Sequence, residues 1–301
     1  MPHLTRASTL PLIRAALRED AAGRDITSRA VLPANTRIKA RVVAKAPGVL
    51  AGVKLAALVF TTLDPALRCA PKRRDGARLV RGATILTVEG RARSIFAAER
   101  TALNLLGHLS GVATLTRAFV DRVQPLTDVD ILDTRKTLPG LRALEKYAVQ
   151  VGGGVSHRAD LAEAVLIKTN HLRAMRHGEF GIRNSEFGMP IQEAVAKAKR
   201  LRPKKFVEVE VTNLRELSAA LQAKPDAILL DNWSLKDIKK AAFLRYSAFR
   251  IPHSALPLLE ASGGVTLANV RAIAKTGVDR ISIGRLTHSA PAFDVSLHVQ
   301  G

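Results

Sequence analysis

The segment Asp133–His171, DTRKTLPGLRALEKYAVQVGGGVSHRADLAEAVLIKTNH, concentrates the groups that could do chemistry. Arg135, Lys136, Arg142, Lys146, Arg158 and Lys168 lie in it, with His157, His171, a Gly triplet and a Pro-Gly turn. Apolar runs bound it, VDIL before and AVLI near its end. Cations held at the tips of buried elements are costly unless they bind something anionic. The spacing therefore predicts a polyanion site. Arg135, Arg158 and Lys168 suit carboxylates or phosphates, arginine by bidentate pairing. His157 and His171 offer donors or acid–base groups. A lone histidine is more often structural; two flanking this cluster favour function.

No nucleophile constellation accompanies these cations. GxSxG, P-loop and Rossmann fingerprints are absent, and Cys69 sits beside the basic loop PKRRDG. The chemistry expected is positioning and electrostatic stabilisation.

The elements that must hold these groups follow from periodicity. Apolar runs at 129–133, 164–168, 206–211, 227–231, 256–262 and 280–284 alternate with helical patterns over 141–151, 190–201, 213–223, 234–243 and 266–276. Such alternation predicts a parallel sheet, and a βα barrel better than an open one. Each run places a polar residue or glycine at or beside its end: Asp133 leading to Arg135 and Lys136, then Lys168, Glu210 one residue before the end, Asp231, Ser262-Gly263-Gly264 and Gly284. The C-terminal rim of barrel strands is where active sites lie. Glu210 and Asp231 suit a divalent ion escorting a diphosphate, or ribose hydroxyls. EASGGVTLANV and SIGRLTHS are candidate phosphate cradles, the first backed by a helix N-terminus.

The first hundred residues read as an α+β domain with an antiparallel sheet: a helix over Leu10–Glu19, then strand-like runs IKARVVAK, GVLAGV and ATILTVEG. A long helix follows through SIFAAERTALNLLGHLSGVATLTRAFVDRV, bridging to the second domain, with a break expected near Ser110-Gly111. On pattern alone, Arg100 within it is a solvated residue.

The 301 residues carry a formal net charge of +21. Residues 1–110 hold 19 Lys and Arg against 7 Asp and Glu. This suggests nucleic acid or very acidic small ligands, or a solvated basic surface. With aromatic content at 4% and Trp233 the only tryptophan, stacking platforms for single strands are not expected. KAKRLRPKK at 197–205 reads as a cationic helix end and turn. One cysteine excludes an internal disulfide and zinc clusters. No apolar run approaches the ~18 residues of a membrane span, and the N-terminal sequence lacks a signal-peptide pattern. A cytoplasmic location is expected.

The ordered motifs EDAAGRDITS, APGVLAGV, AERTALNLLGHLSGVAT, DTRKTLPGLRALEKYAVQVGGG, His157-Arg158, VLIK-NH, EVEV, LLDN, EASGG and SIGRLTHS closely resemble the quinolinate phosphoribosyltransferase family, the carboxylating nicotinate-nucleotide pyrophosphorylases. The resemblance runs nearly end to end. It implies an N-terminal α/β sandwich over 1–110, joined by the tail 289–301. An incomplete, six- or seven-stranded parallel βα barrel over 111–288 is implied to follow. It implies conversion of quinolinate and phosphoribosyl pyrophosphate to nicotinate mononucleotide, carbon dioxide and pyrophosphate, with Mg2+, in NAD biosynthesis. Arg135, His157, Arg158 and Lys168 look like the quinolinate carboxylate pocket, and Lys136 like a contact to pyrophosphate or the reacting carboxylate. Glu210 and Asp231 look like ribose and metal-linked ligands, catalytic together with Lys136. Ser262, Gly263, Gly264 and Gly284 resemble the 5′-phosphate cradle, with His288 nearby. Thr134, Ile283 and Arg285 complete the implied substrate-binding set. Arg100 resembles the arginine that reaches the neighbouring subunit's site, which implies a homodimer. Two residues depart from the family pattern: Ser156 stands for the usual Asn and Thr169 for the usual Asp. Two rivals remain: a phosphoribosyltransferase without decarboxylation, and a nucleic-acid-binding protein with an inactive barrel.

Overall fold

The computed structural model describes residues 5–124, 126–177, 189–248 and 256–300. Residues 1–4 and 301, the ends of the expected first domain and its tail, lie outside the described residues. The chain begins with α1 (Arg6–Glu19), α2 (Ile26–Val31), β1 (Arg37–Ala44), β2 (Gly48–Val49), α3 (Val53–Leu63), β3 (Arg68–Pro71), β4 (Arg78–Leu79), β5 (Thr84–Arg91) and α4 (Ala92–Val123). It continues with β6 (Asp130–Leu132), α5 (Arg142–Val151), β7 (Val165–Ile167), α6 (Thr169–His177), α7 (Met189–Leu201), β8 (Val207–Val211), α8 (Leu214–Ala223) and β9 (Ala227–Asp231). It ends with α9 (Leu235–Ala248), β10 (Leu258–Ser262), α10 (Val270–Ala274), β11 (Arg280–Ser282), α11 (Arg285–His288) and β12 (Val295–Val299). These elements form two compact units. The first comprises Met1–Arg117, Lys136–Gly154 and Arg285–Gly301; the second comprises Ala118–Arg135 and Val155–Gly284.

The first unit carries a four-stranded antiparallel sheet in the order β12-β1-β5-β3. Burial alternates along β5 from Leu86 to Arg91, and Ile85, Leu86 and Val88 join the core with Phe60 of α3 and Ile13 of α1. Thr5 caps α1, its hydroxyl accepting the Ser8 N–H at 3.2 Å, so the helix starts four residues before the expected Leu10.

The expected break at Ser110-Gly111 is absent: α4 runs unbroken from Ala92 to Val123. The two residues serve close packing instead. The buried Ser110 hydroxyl accepts the Ala51 N–H at 3.1 Å and donates to the Ala51 carbonyl at 3.2 Å. A Cβ at Gly111 would lie 2.1 Å from the Pro291 carbonyl oxygen, so only glycine lets the tail approach. One turn earlier, the Phe293 N–H donates to the Gly107 carbonyl at 2.8 Å.

The second unit holds a six-stranded parallel sheet in the order β6-β11-β10-β9-β8-β7. The first strand pairs with the last, which is the closing contact of a barrel. Val155 adds an isolated parallel bridge to Leu132 beside β6, and the barrel stays open between there and β7. Buried runs such as BBBB over Ala227–Leu230 explain why these strands read as continuous apolar stretches. The mixed α/β architecture expected from the sequence is the one observed. No helix among the described residues is long and apolar enough to cross a membrane.

Candidate active site

A parallel sheet puts the C-terminal ends of all its strands on one edge. The register aligns Asp231 of β9 with Ser262 of β10, Ser262 with Ser282 of β11, and Ser282 with Leu132 of β6. At this edge the second unit gathers Thr134, Arg135, His157, Arg158, Lys168, Glu210, Asp231, Ser262, Gly263, Gly264, Ile283 and Gly284. Arg100, Lys136, Arg285 and His288 belong to the first unit. Arg100, Lys136, Arg285 and His288 are exposed there. The Lys136 carbonyl accepts the Thr287 hydroxyl at 2.7 Å, and His288 Nδ1 lies 2.6 Å from the Ser289 hydroxyl.

The turn carrying His157 and Arg158 is anchored from below. Asp133, fully buried, accepts the His157 N–H at 2.9 Å and the Ser156 hydroxyl at 3.2 Å. Ser156 therefore supports the turn where the family pattern has Asn. His157 Nε2 is 3.0 Å from Glu208 Oε2 and 3.5 Å from Glu260 Oε1, and Arg280 lies 3.7 Å from Glu260 Oε2. Burial lowers the His157 pKa, but the Glu208 hydrogen bond and the Glu260 charge outweigh it and raise it. Burial, then the charge of Glu208, pushes the Glu260 carboxyl up to about 7. Glu208, Glu260 and Arg280 were not singled out from the sequence. Their only signal there is a charge inside an apolar strand run.

Arg135 and Arg158 act on each other as like charges. Burial first, then the neighbouring positive Arg135, pulls the Arg158 guanidinium below its usual range. The Arg158 guanidinium donates to the Ala164 carbonyl at 3.1 Å. The Arg135 Nε is buried and has no hydrogen-bond partner among the described residues. Two guanidiniums held close with a donor left over are complementary to an anion. Lys168 is half exposed, 3.6 Å from Glu210 Oε2. His171 has a different job from the one its spacing suggested: its Nδ1 accepts the Lys168 N–H at 2.9 Å and ties the start of α6.

Glu210 Oε1 accepts both the Thr169 N–H, at 3.2 Å, and the Thr169 hydroxyl, at 2.8 Å. With Lys168 beside Oε2, both oxygens already face donors. Neither Glu210 nor Asp231 joins a cluster of three His, Cys, Asp or Glu ligands among the described residues. This donor set fits a magnesium ion that arrives with substrate oxygens and waters, and does not fit an ion held by protein alone.

Gly263 and Gly264 take φ of +90° and +61°, and Asn232 beside them takes +60°. A Cβ at Gly263 would strike the Asn232 amide at 2.1 Å, whereas one at Gly264 would meet open space. The bare backbone is thus open to a ligand at Gly264. The helix expected behind it is present only as a short one. Thr266 and Asn269 bond each other's backbone N–H groups at 2.8 and 3.3 Å, and the Val270 N–H donates to the Thr266 carbonyl at 3.0 Å, so this turn leads into the five-residue α10.

The quinolinate phosphoribosyl transferase N-terminal domain pattern matches residues 25–110, and the C-terminal domain pattern matches residues 112–298. The chain is 43% identical over 288 residues to a nicotinate-nucleotide pyrophosphorylase [carboxylating] of Mycobacterium leprae, covering 95% of each chain. It is 36% identical to a quinolinate phosphoribosyltransferase [decarboxylating] of Nicotiana tabacum, covering 96% of this chain and 81% of that one. The solved nicotinate-nucleotide pyrophosphorylase of Francisella tularensis superposes with a TM-score of 0.87 at 39% identity, covering 99% of this chain and 98% of that one. With both domain patterns matched in order along it, the chain belongs to the quinolinate phosphoribosyl transferase family.

Proposed function

We propose that this chain joins quinolinate to the phosphoribosyl group of phosphoribosyl pyrophosphate, releasing pyrophosphate and carbon dioxide and leaving nicotinate mononucleotide. The observation that carries this reading is the Arg135–Arg158 pair, mutually repelling and with a buried guanidinium donor left over. Two guanidiniums and Lys168 suit a dicarboxylate better than a single carboxylate.

The proposed reaction follows from that charge pattern. Arg135, Arg158 and Lys168 hold the two carboxylates and aim the ring nitrogen at the ribose C1 carbon. The nitrogen lone pair forms the new C–N bond as the C1–oxygen bond breaks and its electrons leave with pyrophosphate. Lys136 stabilises that departing charge. The ring nitrogen is then positive, and the adjacent carboxylate leaves as carbon dioxide. Its bonding electrons stay on the ring carbon beside the cationic nitrogen, and that carbon takes up a proton. Glu210 and Asp231 position the ribose, and the Gly263-Gly264 backbone receives the 5′-phosphate. When bound, magnesium supplies positive charge to the diphosphate oxygens, with Asp231 the better placed of the two carboxylates to meet it. The assembly proposed is a homodimer in which Arg100 serves the neighbouring subunit, and the location proposed is the cytoplasm.

Incubation with quinolinate, phosphoribosyl pyrophosphate and magnesium tests the reading. Equal amounts of nicotinate mononucleotide and carbon dioxide are expected. Efficient use of nicotinate with no release of carbon dioxide from quinolinate would replace it with the non-decarboxylating alternative.

A further inference from the structure

A neutral imidazole has one donor and one acceptor nitrogen. In His157 both are engaged by the protein. Nε2 lies 3.0 Å from Glu208 Oε2, and Nδ1 accepts the Arg158 N–H at 2.8 Å. A backbone donor at Nδ1 requires a lone pair there, so the ring is the Nε2–H tautomer.

The neighbours leave the ring no freedom to turn. The backbone beneath it is pinned, because the main-chain N–H of His157 and the preceding Ser156 hydroxyl both end on Asp133. Flipping the ring would remove the Nε2 donor from Glu208, which is 1% exposed and whose other oxygen has no hydrogen-bond partner among the described residues. Stripping a buried carboxylate of its donor is strongly unfavourable. The spacing of His157, Glu208 and Glu260, with ligand atoms within 4.8 Å of one another, could also suggest a metal ion. Arg280, 3.7 Å from Glu260, already supplies the positive charge, and 3.0 Å from Nε2 to Glu208 is a hydrogen-bond length.

We propose that His157 is a positioning residue that touches no substrate: standing on Glu208 and Glu260, it fixes the backbone of Arg158, and Arg158 alone of this turn meets the anion. This deepens the quinolinate reading and rests on it. It reassigns His157 from the substrate pocket that the family resemblance implies to the support beneath it.

A double-mutant cycle separates the two roles. If His157 acts from Glu208 through Arg158, His157→Ala and Glu208→Leu each raise the quinolinate KM about tenfold or more, leave the phosphoribosyl pyrophosphate KM near wild type, and do not multiply in the double variant. Glu208→Gln, which keeps an acceptor for Nε2–H, restores most of the loss. Multiplying effects, or a Glu208→Leu enzyme that binds quinolinate normally, would overturn the proposal. Nitrogen NMR of the folded wild-type enzyme decides without any buried substitution, with the His157 signals assigned by their loss in His157→Asn. An unprotonated Nδ1 is expected with and without quinolinate; its protonation on binding would assign His157 to the substrate. A wild-type enzyme that forms no nicotinate mononucleotide defeats the functional reading instead, while the spectrum without quinolinate still tests the tautomer.

Discussion

The first unit supplies its buried carboxylates Asp64 and Glu145 with donors, whereas the second leaves Glu208 and Glu260 short of them. In the first unit Asp64, 5% exposed, accepts the Ala66 N–H at 3.0 Å, the Ser94 hydroxyl at 2.7 Å and Arg91 Nε at 3.1 Å. Burial raises its pKa, but these donors outweigh burial and leave it below the usual value of 3.8. Glu145, fully buried, likewise accepts from Leu138 N–H at 3.2 Å and meets His108 at 2.8 Å. In the second unit both oxygens of Glu260 and one of Glu208 have no hydrogen-bond partner among the described residues, and burial wins at Glu260. A satisfied buried carboxylate holds a fold together. An undersupplied one beside a surplus of guanidinium donors marks the place where the protein holds charge ready for a ligand.

Removing one member from each side breaks that comparison most directly. Arg135→Ala leaves only Arg158 and Lys168 to meet the dicarboxylate. A loss of about 100-fold or more in kcat/KM for quinolinate is expected, with the thermal midpoint unchanged or raised because a like-charge contact is relieved. Asp64→Ala should do the reverse: about 1–3 kcal/mol of stability lost in denaturant unfolding, with kcat/KM near wild type. An Asp64→Ala enzyme that folds normally but turns over poorly would erase the division between structural and functional carboxylates.

Acidity sharpens the same contrast, because the two shifts have opposite signs. The folded-state pKa of Glu260 is above its ordinary value of 4.5, so the folded protein binds the extra proton. The stability that proton contributes is complete below pH 4.5 and is lost as pH rises through about 7. The raised His157 pKa acts with the same sign. Asp64 is lowered, so its contribution is present above 3.8 and is lost as pH falls below that value. Thermal midpoints measured from pH 5 to 8 should fall by roughly a few degrees with rising pH. Glu260→Gln should flatten the slope. An equal slope in wild type and Glu260→Gln would show that Glu260 ionises normally.

The sequence displays the rim and hides its foundation, for a physical reason. Buried parallel strands are short apolar runs, so all six appear within two residues of their observed bounds, and the residue types at their ends are visible too. Helix α3, in contrast, was not singled out: VKLAALVFTTL mixes helix formers with β-branched and aromatic residues, and its helical state is set by packing of Leu55, Val59 and Phe60. The break expected at Ser110-Gly111 fails because a Ser-Gly pair signals either a kink or close backbone approach, and only the partner at Ala51 and Pro291 decides. The meeting of Glu208, Glu260 and Arg280 with His157 depends on cross-strand register, which no local pattern contains. Ser156 and Thr169 read as departures in sequence, yet each supplies a hydroxyl to a carboxylate.

Thr169 gives the smallest and most diagnostic effect. Its backbone N–H and its hydroxyl both serve Glu210 Oε1, at 3.2 and 2.8 Å, so Thr169→Val removes one donor and retains the other. Lys168 still stands 3.6 Å from the second oxygen. The Glu210 side chain is 13% exposed, and water can replace part of the lost bond, so about 1 kcal/mol or less is at stake, roughly a fivefold change at most. If Glu210 orients ribose, that change falls on kcat/KM for phosphoribosyl pyrophosphate and spares quinolinate binding. Thr169→Ser, which keeps the hydroxyl, should remain near wild type. A loss shared equally between the two substrates would instead mean that Thr169 supports the strand end carrying Lys168. Glu210 would then join Asp64 among the carboxylates that hold structure.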